Sequence, residues 1–236
     1  MSDHRRMRTS HIRAPNFRTG GDWRAVWMVP AFVALMGCSP FGPPAEVAGA
    51  RVAILIAEGF HDAETLRPKA YLERGGAVVT IIGPETGAVT AYNSDLAITI
   101  EQAVGNVDPD DFDALVIPGG RAPKVLQDDE TVVDFVRAFV ESGKVTAAIC
   151  HGPLVLAAAE VLDGREVTGY RRIEADLTAA GAEFRTRITI FPFSVQDANL
   201  VTARIPWDLR VFNRTLGRAL AEQQRWFDLL QQDPRL

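Results

Sequence analysis

Cysteine is nearly absent. Only Cys38 and Cys150 occur among 236 residues, so no disulfide framework can be drawn, and their unlike surroundings imply separate roles. A membrane-length apolar run is also missing near the N-terminus, where Ala25 to Gly37 supplies only thirteen residues, interrupted by Pro30. Positive charge is scarce in most of the chain. Residues 1–37 carry six Arg against Asp3 and Asp22, a balance of +4, so a whole-chain charge of −5 leaves −9 for the remainder. That balance argues against nucleic acid as the main partner of the folded part. No internal repeat or low-complexity tract is present. The whole chain, 47% hydrophobic and 23% charged, has the composition of a soluble globular domain with extensions.

The N-terminus reads as an address. An Arg-rich stretch to Arg24 is followed by "AVWMVPAFVALMGCS", the charged region, apolar region and processing site of a secretory signal. "LMGC" (Leu35–Cys38) resembles a bacterial lipobox, which implies lipidation of Cys38, a membrane anchor and a place on the periplasmic side of the cell envelope. "SPFGPPAEVAGA" then serves as a tether. The competing reading is a mis-assigned start, or an uncleaved apolar N-terminus, on a cytoplasmic protein. The expected divisions are a signal over 1–37, a tether over 38–50, one domain over 51–225 and a C-terminal tail over 226–236.

Within the domain, apolar runs of strand length alternate with helical periodicity. "RVAILIA" (Arg51–Ala57) precedes the helical "DAETLRPKAYLERGG", and "AVVTIIG" follows as the next strand. "DALVIPGG", "VTAAIC" and "NLVTA" read as further strands. "ETVVDFVRAFVESGK", "HGPLVLAAAEVL" and "PWDLRVFNRTLGRALAEQQ" read as helices, the last begun by Pro206. Strands apolar on both faces, separated by helices, predict a doubly wound three-layer α/β/α sandwich with a mostly parallel sheet. Ligands of such folds sit at the carboxyl ends of the strands.

Cys150 falls at such an end, on the turn between "VTAAI" and a helix starting near Gly152, with Pro153 suited to the first turn. Unpartnered helix amides and the dipole would stabilise a thiolate and lower its pKa. "IPGG" ends the neighbouring strand, so the Gly120 and His151 amides are placed to receive a developing oxyanion. This is the logic of a nucleophile elbow. A plain buried cysteine beside a histidine cap fits the same residues, and the residues alone leave both readings open.

"VAILIAEGFHDAE", "ALVIPGGRAP", "AAICHGP" and "NLVTARIPWDL", in that order across residues 51–223, resemble the ThiJ/PfpI family of the class I glutamine amidotransferase-like superfamily. The resemblance implies a flavodoxin-like fold, a homodimer or higher homo-oligomer, and Cys150 as the elbow cysteine. It implies Glu64 as the acid beside the thiol, held protonated by burial, and His151 as an auxiliary acid or base. Activities in the family include glyoxalase or deglycase action, peptidase action, isocyanide hydration and stress sensing.

Two positions depart from the pattern. His61 replaces a second acid in the first loop, and Lys124 stands where peptidase-like members place the glutamate that orients the histidine. Lysine cannot do that. Glutaminase chemistry needs a histidine downstream of the nucleophile, and only His4, His11, His61 and His151 occur, so an amidotransferase is not expected.

Among other residues, Tyr170 falls near the expected site mouth, with packing as its plainer role. Arg171 and Arg172 read as a solvated pair, and "DPDDFD" (Asp108–Asp113) as a solvated turn. His61, Lys124 and Tyr170 are possible substrate contacts. No metal or cofactor is expected. The partner is a small electrophile, a carbonyl or an amide. The rival reading is a non-catalytic binding or oxidative-stress-sensing protein that keeps the cysteine elbow.

Overall fold

The computed structural model describes residues 47–186 and 191–232. The signal, Cys38, most of the tether and the last four residues of the tail lie outside them. No helix among the described residues is long and apolar enough to cross a membrane.

β1 (Arg51–Leu55) is buried from Val52 onward, because a parallel strand covered on both faces has no polar side to show water. α1 (Asp62–Arg74) follows, then β2 (Val78–Gly83). β3 (Gly87–Thr90) and β4 (Ala97–Ile100) form an antiparallel hairpin, and β5 (Gln102–Ala103) returns to the sheet. β6 (Ala114–Ile117) leads through the short α2 (Ala122–Leu126) to α3 (Glu130–Glu141). The Asp129 side chain caps α3 by accepting from the Val132 amide at 3.1 Å. Val132, Phe135, Val136, Phe139 and Val140 form its buried stripe.

β7 (Val145–Ile149), wholly buried, precedes α4 (Pro153–Ala158). β8 (Glu166–Val167), α5 (Glu174–Ala179) and β9 (Glu183–Phe184) form a small lateral unit. β10 (Ser194–Asp197) and β11 (Leu200–Ala203) complete the sheet, and α6 (Leu209–Gln232) closes the domain.

The seven-stranded sheet runs β10-β11-β7-β6-β1-β2-β5, parallel except for the edge pair β10–β11. α1 packs on α6, while α2 and α3 both pack on α4, so helices flank the sheet. The result is the mostly parallel α/β/α architecture expected from the alternation. Three local expectations differ. The helix after Cys150 ends at Ala158, and Glu160 adopts a left-handed φ of 59° soon after. Pro206 begins a 3-10 turn (Pro206–Asp208) before α6 starts at Leu209. α6 then continues through Gln232, so residues 226–232, read as tail, are helical.

Asp208 anchors the last turn. It is fully buried, accepts from the Phe193 amide at 2.9 Å and holds the Arg204 guanidinium through both oxygens at 2.8 Å. A buried pair of this kind is costly to break because the surviving charge has no partner. Asp208→Ala is expected to lose about 3–5 kcal/mol of stability in urea unfolding, whereas Asp208→Asn loses less.

Candidate active site

Three strand ends converge. The loop from β1 into α1 carries His61, the loop after β6 carries Gly119 and Gly120, and the turn after β7 carries Cys150. The first two loops are laced by backbone bonds: His61 N–H donates to Gly119 O at 3.2 Å, and Arg121 N–H donates to Gly59 O at 2.8 Å. Gly120 has φ 92°, and a Cβ there would lie 2.6 Å from Gly59 O, so only glycine permits this approach. At Gly119 an added Cβ would fall 2.6 Å from both Cys150 Cβ and Glu64 Oε2. The missing side chain is the space in which those two residues meet.

Cys150 has φ 62°, a strained value for a residue with a Cβ. Its backbone is clamped on both sides, its N–H donating to Ala203 O at 3.0 Å and its carbonyl accepting from the Tyr170 amide at 2.8 Å. Gly152 is equally confined, since a Cβ there would stand 2.3 Å from Ile117 O. The elbow is therefore held by β11 and the Tyr170 segment as well as by its own Gly152 N–H bond to Ile149 O at 2.8 Å.

Glu64 lies in the first turn of α1, fully buried. Its Oε2 accepts from the Gly119 amide at 2.9 Å, its Oε1 has no hydrogen-bond partner, and the Cys150 thiol is its other polar neighbour. Burial raises this carboxyl to about 7, against the opposing pull of the Gly119 amide and the thiol. That is the direction expected for an acid kept protonated.

The thiol itself corrects an expectation. Burial and then the charge of Glu64 push Cys150 up to about 12, outweighing the Gly120 and His151 amides, which pull it down. The helix behind it has six residues, too few for a large dipole. Burial raises both groups and the Glu64 charge raises the thiol further, so the carboxyl ionises first and the second ionisation is the one displaced upward.

His151 Nδ1 stands 3.3 Å from Cys150 Sγ, and its ring lies 4.8 Å from that of Tyr170. Burial, then the charges of Lys124 and Arg172, hold the imidazole below its usual pKa, so it is neutral at pH 7. Lys124, exposed on α2, thus acts on His151 with the sign opposite to that of a carboxylate. His61 Nδ1 approaches Asp62 at 3.3 Å without hydrogen-bond geometry. Burial outweighs Asp62 and keeps His61 neutral as well, so the contact is polar rather than an ion pair.

Two residues escaped the sequence reading. Tyr92, beyond the β3 strand, meets His61 edge-on at 5.6 Å, and the Arg121 guanidinium lies 5.6 Å from the Tyr92 ring centroid. Burial raises the Tyr92 hydroxyl, followed by the negative charges of Cys150 and Glu64. Arg121 stood in plain view within "GGRAP", but nothing in "TAYNSD" marked Tyr92. Among the described residues no group of three His, Cys, Asp or Glu side chains is arranged to hold a metal ion.

Coupling between Glu64 and Cys150 is directly measurable. Iodoacetamide labelling of Cys150 against pH is expected to rise in two steps, and Glu64→Gln leaves a single step between them; an unchanged profile would show the groups to be independent. Because a carboxyl with a raised folded-state pKa costs stability as pH climbs from its unfolded value near 4.5 to about 7, Glu64→Gln is expected to be the more stable protein at pH 8. That advantage, on the order of a few kcal/mol, should vanish at pH 4.

Comparison with known proteins gives these features a context. The profile of the DJ-1/PfpI family matches residues 50–219. Protein/nucleic acid deglycase 2 of Escherichia coli (strain K12) is 39% identical over 171 residues, spanning 72% of this chain and 97% of the relative. General stress protein 18 of Bacillus subtilis (strain 168) is 36% identical over 167 residues, 70% of this chain and 95% of its own. The crystal structure of Drosophila melanogaster DJ-1beta superimposes with a TM-score of 0.67 at 28% identity, covering 75% and 95% of the two chains. With the family profile matched over residues 50–219 and a relative 39% identical along 97% of its own length, this chain belongs to the DJ-1/PfpI family.

Proposed function

We propose that the protein is a cysteine-dependent enzyme of the deglycase or hydrolase type, acting on a small carbonyl, amide or related electrophile. The observation that carries this reading is the buried Glu64 carboxyl sharing the Gly119 gap with Cys150 on a strained elbow. A relative named as a deglycase supports it.

In the singly charged pair, Glu64 takes the thiol proton as sulfur adds to the electrophilic carbon. The carbonyl π electrons move to oxygen, where the Gly120 and His151 amides receive the charge. Glu64 then returns its proton to that oxygen. Neutral His151 is suited to pass a proton to or from solvent, with no carboxylate to orient it. Tyr92, His61 and Tyr170 bound the space around the pair, and Lys124, Arg121 and Arg172 give its surroundings a positive charge.

The second reading is an oxidative-stress sensor or binding protein that has kept the elbow. Lys124 in place of an orienting acid favours it, as does a relative named as a general stress protein. Lipid attachment through Cys38 on the periplasmic side and a homo-oligomeric state belong to both readings.

Cys150→Ser, assayed with methylglyoxal, peptides and isocyanides, is expected to reduce turnover to the uncatalysed rate; undiminished turnover removes the enzyme assignment. A wild type inert towards all three classes, yet rapidly labelled at Cys150, supports the sensor. Mass spectrometry of the mature protein is expected to find acylated Cys38 as the first residue, and an intact Met1 would refute the anchor.

A further inference from the structure

Away from Cys150, α1 and α6 pack side by side and leave a groove of about 310 Å³ between them. Arg67 and Arg74 line it from α1, and Arg210 and Arg214 from α6. Residues seven or four apart share a helix face, so each helix contributes two guanidinium groups to one opening. The floor is apolar, built in part from Leu66 and Tyr71. Asn213 of α6 donates to the Arg67 carbonyl at 3.3 Å and ties the two helices together at the groove.

Four like charges at one opening are unusual on a chain with a net charge of −5. Arg67, Arg74 and Arg214 make no ion pair among the described residues. The nearby Glu73 carboxylate is engaged by Lys69 instead. The charges of Arg214, Arg74 and Arg218 also reach the Tyr71 hydroxyl on the floor. Helix packing therefore brings Arg67, Arg74 and Arg214 to one opening without a carboxylate partner, a like-charge cost that a bound anion would lower. Guanidinium forks match phosphate oxygens in pairs, and arginines from two sides suit a dianion better than a single carboxylate. The volume lies at the small end of ligand sites and accommodates a compact body on the apolar floor.

We propose that this groove binds a phosphate monoester with a compact planar or apolar body, at a site separate from Cys150. The site owes nothing to thiol chemistry, so Cys150→Ser retains it, and the two proposals stand or fall independently.

Calorimetric titration of the full chain, wild type and Cys150→Ser, with adenosine 5′-monophosphate and with adenosine tests the inference. Saturable binding of the phosphate ester is expected in both proteins, with at least tenfold weaker binding of adenosine. The exposed double substitution Arg74→Gln/Arg214→Gln should weaken the ester at least tenfold, while Arg137→Gln on α3 leaves it unchanged. Flotation with phosphatidylcholine vesicles, with and without phosphatidic acid, distinguishes the source of the phosphate. Capture that requires phosphatidic acid and is lost in the double variant supports the site and assigns it a lipid headgroup. Equal affinity for the ester and adenosine, a double variant that binds like wild type, or no binding of either probe together with no capture by phosphatidic acid overturns it.

Discussion

A carboxyl group and a thiol buried in the same gap cannot both ionise, and much of the architecture around Cys150 serves to keep them there. Glu64 is fully enclosed and held by the Gly119 amide at 2.9 Å. The gap exists because residue 119 has no side chain, and the thiol enters it because the turn after β7 is forced to a positive φ. Burial disfavours each anion, and the Glu64 charge disfavours the thiolate further, leaving one charge near neutral pH. The thiol is thereby held protonated near neutral pH, and the charge of the pair falls on Glu64 rather than being drawn to sulfur by a strong local dipole.

This constraint reaches far into the fold. The strain at Cys150 persists because Ala203 on β11 and Tyr170 beyond β8 grip its backbone from opposite sides, while Gly152 sits against the end of β6. Three neighbouring parallel strands and a lateral segment thus over-determine one residue. Pro68 acts on the other partner. Having no N–H, it gives the Glu64 carbonyl no helical hydrogen bond.

Around the pair, charge is arranged differently from a peptidase-like triad. His151 touches the thiol but is kept neutral by burial and then by the positive charges of Lys124 and Arg172. A neutral imidazole can relay a proton, yet it cannot stabilise a thiolate as an imidazolium would. The chemistry proposed for this site accordingly rests on Glu64, with His151 in a supporting place. Arg121 lies against Tyr92, and Tyr92 meets His61 edge-on.

Much of this was legible in the sequence. The alternation of strand and helix declared the architecture because strands buried on both faces, such as Ala114–Ile117 and Val145–Ile149, must be apolar throughout. "IPGG" and "ICHGP" marked two turns at strand ends, and the family resemblance pointed to Glu64. The hairpin Gly87–Ile100 was not legible, since its short, half-exposed strands lack a firm pattern, and Tyr92 was lost with it. The direction of the Cys150 pKa was out of reach too. Local sequence reports the helix that follows and its amides, but desolvation and the field of a carboxyl 86 residues away exist only after the chain has closed around them. Residue order by itself determined which elements form and where the cysteine turn falls, because periodicity and turn chemistry are local. Tertiary structure alone decided the electrostatics of the thiol, because burial and through-space charge depend on the neighbours that folding brings together.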